Sequence, residues 1–392
     1  MPSSDQYSPW PNYSEEEIEA VSRVLRSNKV NYWTGDECQK FEDEFAAYCG
    51  VDHAVAVANG TVALELALRA LGIGEGDEVV VPARTFVASA TAVMAVGGTP
   101  VFADVDALSQ TITAKTVGAV LSERTAAVIC VHLAGWACPM DEIMALARRH
   151  GLYIVEDCAQ SHGARYKGQS VGGIGDIGCW SFCQDKIMTT GGEGGMLTTN
   201  NPSWWKTIWS YKDHGKDWNL VHSPNHPVGF RWLHSSIGSN LRMTEMQAVI
   251  GRIQIAKMPE WSRLRSCNAE IYSAGLGDVD LFSLPSVPQY IVHGWYKYYL
   301  QVNDEVLDEG WSRDRIIGEA NQAGIPCFSG SCPEVYLERC FTDKGLGPAS
   351  RLPVARKLGE SSLMLLVHPG LSESLLQSWT HMLRSIAQRA SA

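Results

Sequence analysis

Short apolar runs alternate with stretches of helical spacing from the N-terminal region to near Asn200. The apolar runs at residues 54–58 and 152–155 are typical of buried strands, and apolar positions over residues 64–71 recur at the spacing of a helix face. Residues 79–106 have the pattern of a crossover unit, with a strand, a loop, a helix, a glycine turn and a second strand. This alternation predicts an α/β fold built on a mostly parallel sheet.

The helical pattern that passes through Pro259 is expected to connect two domains. A chain of 392 residues exceeds what one hydrophobic core usually serves. We therefore predict a large domain over residues 1–258, which begins with a helical segment, and a smaller α+β domain over residues 259–392. The smaller domain is expected to contain a strand near residues 296–302 and a helix near residues 312–323.

Lys186 lies between an apolar strand-like segment and a run of glycines, in the stretch SFCQDKIMTTGGEGG. Asp157 comes directly after the apolar run at residues 152–155, where a parallel strand reaches the ligand-binding edge of its sheet. A lysine amine forms an imine with the aldehyde of pyridoxal phosphate, and a carboxylate keeps the pyridine nitrogen protonated. A solvated loop lysine and a helix-capping aspartate would each be ordinary, but together the two residues predict a pyridoxal phosphate site.

The turn Asn59-Gly60-Thr61 separates a predicted strand from a predicted helix. Free backbone N–H groups and the positive end of the helix dipole meet at such a turn, so it can hold a phosphate dianion. The Thr61 hydroxyl is a further donor, and Ser181 is a second candidate, five residues before Lys186. An ordinary N-cap by Asn59 or Thr61 is the alternative interpretation.

Phe86 falls at the strand-to-helix junction of the crossover unit. Stacked on a pyridine ring, its side chain would hold a cofactor flat, although a core position is the default for phenylalanine.

The segment 173–178 matches the G-x-G-x-x-G pattern of dinucleotide-binding folds. That fingerprint needs a strand before it and a helix after it, whereas strand-like residues follow here, so nicotinamide or flavin binding is not predicted.

The composition disfavours several classes of partner. The formal net charge of -11 argues against nucleic acid and against an anionic membrane. No apolar run approaches the roughly 20 residues that span a bilayer, and no signal-peptide pattern is present, so a cytoplasmic location is predicted. The sequence has 11 cysteines, an odd number, and they are scattered along the chain without a C-x-x-C pair. This pattern indicates reduced thiols. Without histidines at ligand spacing, no metal site is expected.

Six ordered blocks of the sequence carry a resemblance to a known family. The chain resembles the DegT/DnrJ/StrS family of nucleotide-sugar aminotransferases, which have the aspartate aminotransferase-like fold of type I pyridoxal phosphate enzymes. The resemblance implies a mixed, mostly parallel sheet in the large domain. The blocks are WTG at 33–35, ANGTVALELAL at 58–68, VPARTFVASA at 81–90, EDCAQSHGA at 156–164, SFCQDKIMTTGGEGG at 181–195 and IGSNLRMTEMQAVIG at 237–251.

The resemblance implies roles for individual residues around the cofactor ring. Lys186 would be the imine lysine, Asp157 the partner of the pyridine nitrogen, and Gln160 a residue packed close to the ring and its phenolic oxygen. Some members replace the lysine with histidine and dehydrate their substrates. Lys186 argues against that branch.

The resemblance also implies how the phosphate is held. Gly60, Thr61 and Ser181 would contact it within one subunit. Asn240 would reach the cofactor phosphate of the neighbouring subunit, so that a homodimer shares its active sites. A monomer is then expected to be inactive.

The activity implied is a ping-pong transamination. Glutamate, or glutamine as an alternative, would leave its amino group on the cofactor as pyridoxamine phosphate, and a nucleotide-diphosphate-linked keto-sugar would then accept it. The alternatives are a cyclitol aminotransferase, a dehydratase of the same family and a non-catalytic regulatory protein. The last is disfavoured because Lys186, Asp157 and Thr61 occur together and no DNA-binding extension is present.

A tryptophan-rich region after Asn200 is predicted to be rich in loops. Such loops commonly bind substrates, and aromatic faces with nearby cations would suit a sugar and a diphosphate. Lys212 and His214 are the candidate substrate contacts on this argument. Packing of the aromatic rings against one another is the alternative.

Overall fold

The structure is a computed structural model, and it describes residues 8–224 and 228–391. The strands are β1 His53–Val57, β2 Glu78–Pro82, β3 Thr99–Ala103, β4 Thr125–Val131, β5 Tyr153–Asp157, β6 Arg165–Tyr166, β7 Gln169–Ser170, β8 Ile177–Ser181, β9 Gly195–Thr199, β10 Phe282–Ser283, β11 Ile291–Val292, β12 Tyr298–Val302, β13 Cys327–Phe328 and β14 Ser362–Leu365. The helices are α1 Glu15–Ser27, α2 Glu37–Cys49, α3 Gly60–Ala70, α4 Val87–Ala95, α5 Ala114–Gly118, α6 Met140–His150, α7 Pro202–Lys212, α8 Trp218–Val221, α9 Glu245–Leu276, α10 Arg313–Gln322, α11 Arg339–Thr342, α12 Pro353–Ser361 and α13 Glu373–Ala390. None of them is long and apolar enough to cross a bilayer.

The main sheet has seven strands in the order β1-β9-β8-β5-β4-β2-β3. Neighbouring strands are parallel from β3 through β8, and β9 is antiparallel to both β8 and β1. Six strands therefore run in one direction, which confirms the predicted mixed, mostly parallel sheet. The carboxyl ends of β1, β2, β5 and β8 meet at one edge. These ends and the segments that follow them carry most of the predicted site residues, namely Gly60, Thr61, Phe86, Asp157, Gln160, Ser181 and Lys186.

The interior contains two large hydrophobic clusters. The first surrounds the main sheet, and the second surrounds the four-stranded sheet β10-β12-β14-β13 with α10 and α13. Helix α9 continues without a break through Pro259, and it supplies Met258 to the first cluster and Tyr272 to the second. Tyr336 and Phe341, which follow the predicted boundary near 258, pack in the first cluster. The division at 258 stays a prediction, and it falls within α9.

Candidate active site

Lys186 follows β8 in a tight turn at the ligand-binding edge of the sheet. Its backbone N–H donates to Cys183 O at 3.1 Å, and its carbonyl accepts from the Trp10 indole Nε1 at 2.8 Å. The Nζ atom lies 5.2 Å from the centre of the Tyr296 ring and 4.0 Å from Asp185 Oδ1. The Lys186 amine is therefore held at the ligand-binding edge of the sheet, and only 16% of the side chain is exposed.

Asp157 is the last residue of β5 and is buried. Its Oδ2 accepts from the Ser89 hydroxyl at 2.8 Å, and its Oδ1 accepts from Ala159 N–H at 3.1 Å. Burial raises the pKa of the Asp157 carboxyl, against the opposing effects of these two hydrogen bonds and of the Lys186 ammonium. No cationic side chain of the described residues forms an ion pair with it. A buried carboxylate without a cation fits a protonated pyridine nitrogen as its partner.

The turn before α3 forms a cradle of free backbone donors of the kind that binds a phosphate. Asn59 caps the helix, since its side chain accepts from Val62 N–H at 2.9 Å, and this confirms the ordinary N-cap. Within the described ranges, the N–H groups of Gly60 and Thr61 donate to no protein acceptor. Gly60 also lies so close to β8 that an added Cβ would be 2.7 Å from Ser181 Cβ. The capping and phosphate-binding interpretations are therefore compatible.

Phe86 and Gln160 follow two strands, β2 and β5, that end at the same edge of the main sheet. Phe86 precedes α4, and its side chain is 65% exposed, which contradicts a core position and leaves its ring free to stack on a ligand. Gln160 is buried, and its Oε1 accepts from Ala134 N–H at 2.9 Å. This hydrogen bond ties the turn after β5 to the loop after β4.

Asn240 and His214 lie on an exposed surface next to this edge. The backbone of Asn240 pairs with Asp213, and the adjacent Leu241 O accepts from Ala58 N–H at 2.9 Å, directly before the phosphate cradle. Both side chains are exposed in the single chain. His214 adopts a left-handed backbone with φ 61°, and its N–H donates to Ser239 O.

The structure argues against Lys212 as a substrate contact. Its side chain is fully buried at the end of α7, with Nζ 2.7 Å from Glu42 Oε1 and 4.1 Å from the centre of the Tyr32 ring. The prediction of a loop-rich region is wrong for residues 202–212, because Asn201 caps a helix that begins at Pro202. The sequence does not show the ion pair, since Glu42 lies 170 positions away.

The aromatic cluster next to Lys212 is a packing feature. The Trp218 ring lies 4.5 Å from that of Trp205 and 4.6 Å from that of Trp209. These contacts support the alternative of aromatic packing. Trp232, in contrast, is 82% exposed.

Among the residues that the structure describes, one group of potential metal ligands includes the two neighbours of Asp157 in sequence. His132, Glu156 and Cys158 are buried and approach within ligand distance of one another. The Glu156 carboxylate, however, faces His132 Nε2 at 2.9 Å and accepts from three backbone N–H groups in segment 172–175. Because its oxygens are already hydrogen-bonded, we interpret this group as a polar element of the core.

Several residues at this edge were not predicted from the sequence. Ser89 binds Asp157, and Trp10 binds the backbone of Lys186. Tyr296 flanks the lysine amine, and its hydroxyl donates to Asp185. Ser89 occurs inside the block VPARTFVASA, one helical turn after Phe86, and that spacing could have indicated it. Trp10 and Tyr296 are distant in sequence, and no local signal marks them.

The comparisons with known proteins agree with this geometry. A model of the DegT/DnrJ/EryC1/StrS aminotransferase family matches residues 11–384. The chain belongs to this family. A UDP-N-acetyl-3-dehydro-alpha-D-glucosamine 3-aminotransferase of Acidithiobacillus ferrooxidans is 36% identical over 359 residues, which cover 92% of this chain and 90% of the relative.

Solved structures of other proteins superpose closely on the chain. An aminotransferase from Psychrobacter cryohalolentis is 52% identical with a TM-score of 0.97, over 98% of this chain and 100% of that one. The protein Spr1654 from Streptococcus pneumoniae, in its PLP form, is 26% identical with a TM-score of 0.87, over 98% of this chain and 99% of that one. The predicted family, fold class, enzyme class and pyridoxal phosphate cofactor are confirmed.

Proposed function

We propose that this DegT/DnrJ/EryC1/StrS aminotransferase moves an amino group from glutamate to the keto group of a sugar carried on a nucleotide diphosphate. The observation that supports it most is the convergence of Lys186, Asp157 and the phosphate cradle at Gly60 on one sheet edge. The relative from Acidithiobacillus ferrooxidans is named for an amination at carbon 3 of a UDP-linked sugar, and it covers nearly the whole chain. The cytoplasmic location stays a prediction.

The roles follow from the surroundings of each side chain. Pyridoxal phosphate, when bound, supplies an aldehyde for the lysine amine and a ring that accepts electrons. Lys186 would hold the cofactor and then move a proton to or from the substrate carbon, since its amine is the basic group at this edge. Asp157 would hold the ring-nitrogen proton, oriented by Ser89. Gly60, Thr61 and Ser181 would bind the phosphate.

We further propose that two copies of the chain complete each active site. Phe230, Trp232 and Ile237 are 75%, 82% and 88% exposed, and a concentration of large apolar side chains on one exposed segment indicates an interface. Asn240 lies at the end of that segment and is exposed as well. This supports a contact from Asn240 to the cofactor phosphate of a second copy.

The test is the visible spectrum of the protein with added pyridoxal phosphate, before and after excess glutamate or glutamine. The expected result is a yellow band that glutamate removes as 2-oxoglutarate forms, after which UDP-N-acetyl-3-dehydro-glucosamine restores it. Lys186→Ala should give no such band while retaining the parental circular dichroism spectrum. A band that neither donor removes, or turnover by Lys186→Ala, would contradict the proposal.

A further inference from the structure

Trp10 holds the main chain at Lys186 from a distant part of the sequence. Its indole Nε1 donates to the Lys186 carbonyl at 2.8 Å, across 176 positions. The Trp10 and Trp261 rings meet edge to face with 4.9 Å between their centres, so α9 supports the indole. The family model begins at residue 11, and the contact from Trp10 lies outside it.

Arg265 stacks on the same Trp10 ring. Its Cζ atom lies 4.9 Å from the ring centre, and the residue is 1% exposed. Its Nη1 donates to the carbonyls of Trp295 at 3.2 Å and of Tyr296 at 3.4 Å. A planar guanidinium can stack on an aromatic face while it donates in its own plane, and a lysine ammonium has no such plane. Arg265 therefore connects Trp10 to the segment that contains Tyr296.

Tyr296 is the second neighbour of Lys186 in this network. Its ring centre lies 5.2 Å from Lys186 Nζ, and its hydroxyl donates to the adjacent Asp185. The Tyr296 N–H donates to Ala134 O at 2.9 Å, so its backbone is hydrogen-bonded at both the N–H and the carbonyl. Arg265 thus contacts one residue that binds the Lys186 carbonyl and one that flanks the Lys186 amine.

Close packing alone does not fix these side chains. A cavity of about 200 Å³ is bordered by Trp10, Arg265, Tyr296 and Lys297, so the two rings have room on that side. Burial lowers the pKa of Arg265 to about 9, and its Nε and Nη2 have no hydrogen-bond partner among the described residues. Since a buried cation of this kind stabilises a fold poorly, its contribution lies in the two contacts that it makes.

We propose that Trp10 and Arg265 act as a pair of positioning residues that hold the Lys186 amine where it transfers a proton. The inference rests on the proposed function, in which Lys186 moves a proton to or from the donor carbon. Such a transfer depends on position, and a displacement of about 1 Å can cost about 100-fold in rate. Because both residues act through Lys186, their loss should slow this step and leave the binding of the donor unchanged.

The first measurement is a single turnover of the cofactor-loaded protein with glutamate at saturation. Trp10→Phe removes the N–H donor and keeps a ring for Arg265, so its rate constant should fall about fivefold. Arg265→Lys keeps the charge and loses the planar fork, so its rate constant should fall about 10- to 100-fold. The glutamate concentration at half-maximal rate should stay parental in both variants.

Deuterium at the α-carbon of glutamate separates positioning from a loss of folded protein. When proton transfer is slowed by a misplaced amine, the isotope effect on the rate constant should be at least as large as in the parent. A partly unfolded variant would instead lose amplitude and keep the parental rate constant. A loss of amplitude alone would therefore overturn the inference.

Two substitutions elsewhere are matched controls. Arg263→Lys changes an exposed arginine on the same helix. Trp311→Phe changes a tryptophan before α10 that also bears a cation, with Arg315 Cζ 4.0 Å from its ring centre. Both controls should react at the parental rate. Parental rate constants in the two test variants as well would overturn the inference.

The double variant tests whether Trp10 and Arg265 act as a pair. If Arg265 acts partly by holding Trp10, the loss in the double variant is smaller than the product of the two single losses. A loss equal to that product would contradict the pairing.

Hydrogen exchange in the cofactor-free protein separates this inference from the proposed function. The Lys186 N–H, which donates to Cys183 O, should exchange about fivefold faster in Trp10→Phe, while the amides of α13 keep their parental protection. If the parent reacts with neither glutamate nor glutamine, the proposed function fails, and unchanged exchange at Lys186 would overturn the inference independently. If the parent reacts and the test variants react at the same rate, the inference fails and the proposed function stands.

Discussion

The Ser89 hydroxyl donates a hydrogen bond of 2.8 Å to the buried Asp157 carboxylate, from the first turn of α4 to the end of β5. Ser89 in turn bonds Thr85 at 2.8 Å, so the carboxylate is oriented by a short chain of hydroxyl groups. Such support fixes the position of an ionised side chain. Substitution of Asp157 therefore tests the role of its charge, and substitution of Ser89 tests the role of its orientation.

Asp157→Asn is expected to retain pyridoxal phosphate but to lose at least about 100-fold in turnover, because the amide keeps the shape and cannot hold a ring-nitrogen proton. Ser89→Ala should lower turnover by roughly tenfold, since it removes one hydrogen bond to the carboxylate. Turnover and cofactor content of both variants are the measurements. Ser374→Ala, exposed on α13, is the control. Parental turnover by Asp157→Asn would remove this residue from the reaction.

Gly60→Ala is expected to weaken pyridoxal phosphate binding by about 1–3 kcal/mol, the usual cost of overpacking a close contact. The new Cβ would lie 2.7 Å from Ser181 Cβ, so the start of α3 must move away from β8. Gly318→Ala is the matched control, since Gly318 lies in α10 with open space at its Cβ. That change should stabilise the protein by up to about 1 kcal/mol and leave the cofactor affinity unchanged. Fluorescence titration with the cofactor measures both variants, and equal affinity would contradict the cradle.

Mixed dimers of Lys186→Ala and Asn240→Ala are expected to regain activity that neither variant has alone. In a mixed dimer, one site combines the intact Lys186 of one copy with the intact Asn240 of the other. Random exchange of subunits should restore about a quarter of the parental sites. The measurement is turnover after the two variants are unfolded and refolded together. No recovery, although size analysis shows that mixed dimers form, would contradict the shared site.

Acid is expected to destabilise the protein through His162. This side chain is buried 5.2 Å from the Trp180 ring, and burial lowers its pKa from 6.5 to about 3. The unfolded chain therefore binds a proton that the folded chain does not, so the stabilising contribution is complete above pH 6.5 and is lost as the pH falls towards 3. The loss is about 1 kcal/mol per pH unit for this residue. The unfolding midpoint, measured at fixed protein concentration, should fall less steeply with decreasing pH for His162→Gln than for the parent. His381→Gln, at an exposed position, should keep the parental slope.

Much of the main sheet and its helices could be predicted because local patterns determine them. The apolar run before Asp157 ends where β5 ends, and the turn at Gly60 begins α3 as the helix signals indicate. Parallel strands then bring the ends of β1, β5 and β8 to one edge by geometry alone. The candidate residues at Lys186 and Ser181 follow from this rule without knowledge of side-chain contacts.

The remaining features depend on contacts between distant parts of the chain. Lys212 resembles a loop cation in sequence, yet its partner is Glu42 on α2. Arg265 lies in a helix of mixed composition and Lys297 next to a strand, so no local pattern indicates that both line one cavity. Their common cavity exists only because α9 and β12 pack together with the N-terminal segment.

Helix α9 couples the unfolding of the two hydrophobic clusters. Its side chains at Met258 and Tyr272 belong to different clusters, and the helix between them is continuous. Unfolding of one cluster would expose one end of α9 and remove apolar contacts from the rest of the helix. The free energies of unfolding of the two clusters are therefore coupled. Despite having two cores, the chain should therefore lose its structure in a single cooperative transition, with the same midpoint for tryptophan fluorescence and for helical circular dichroism.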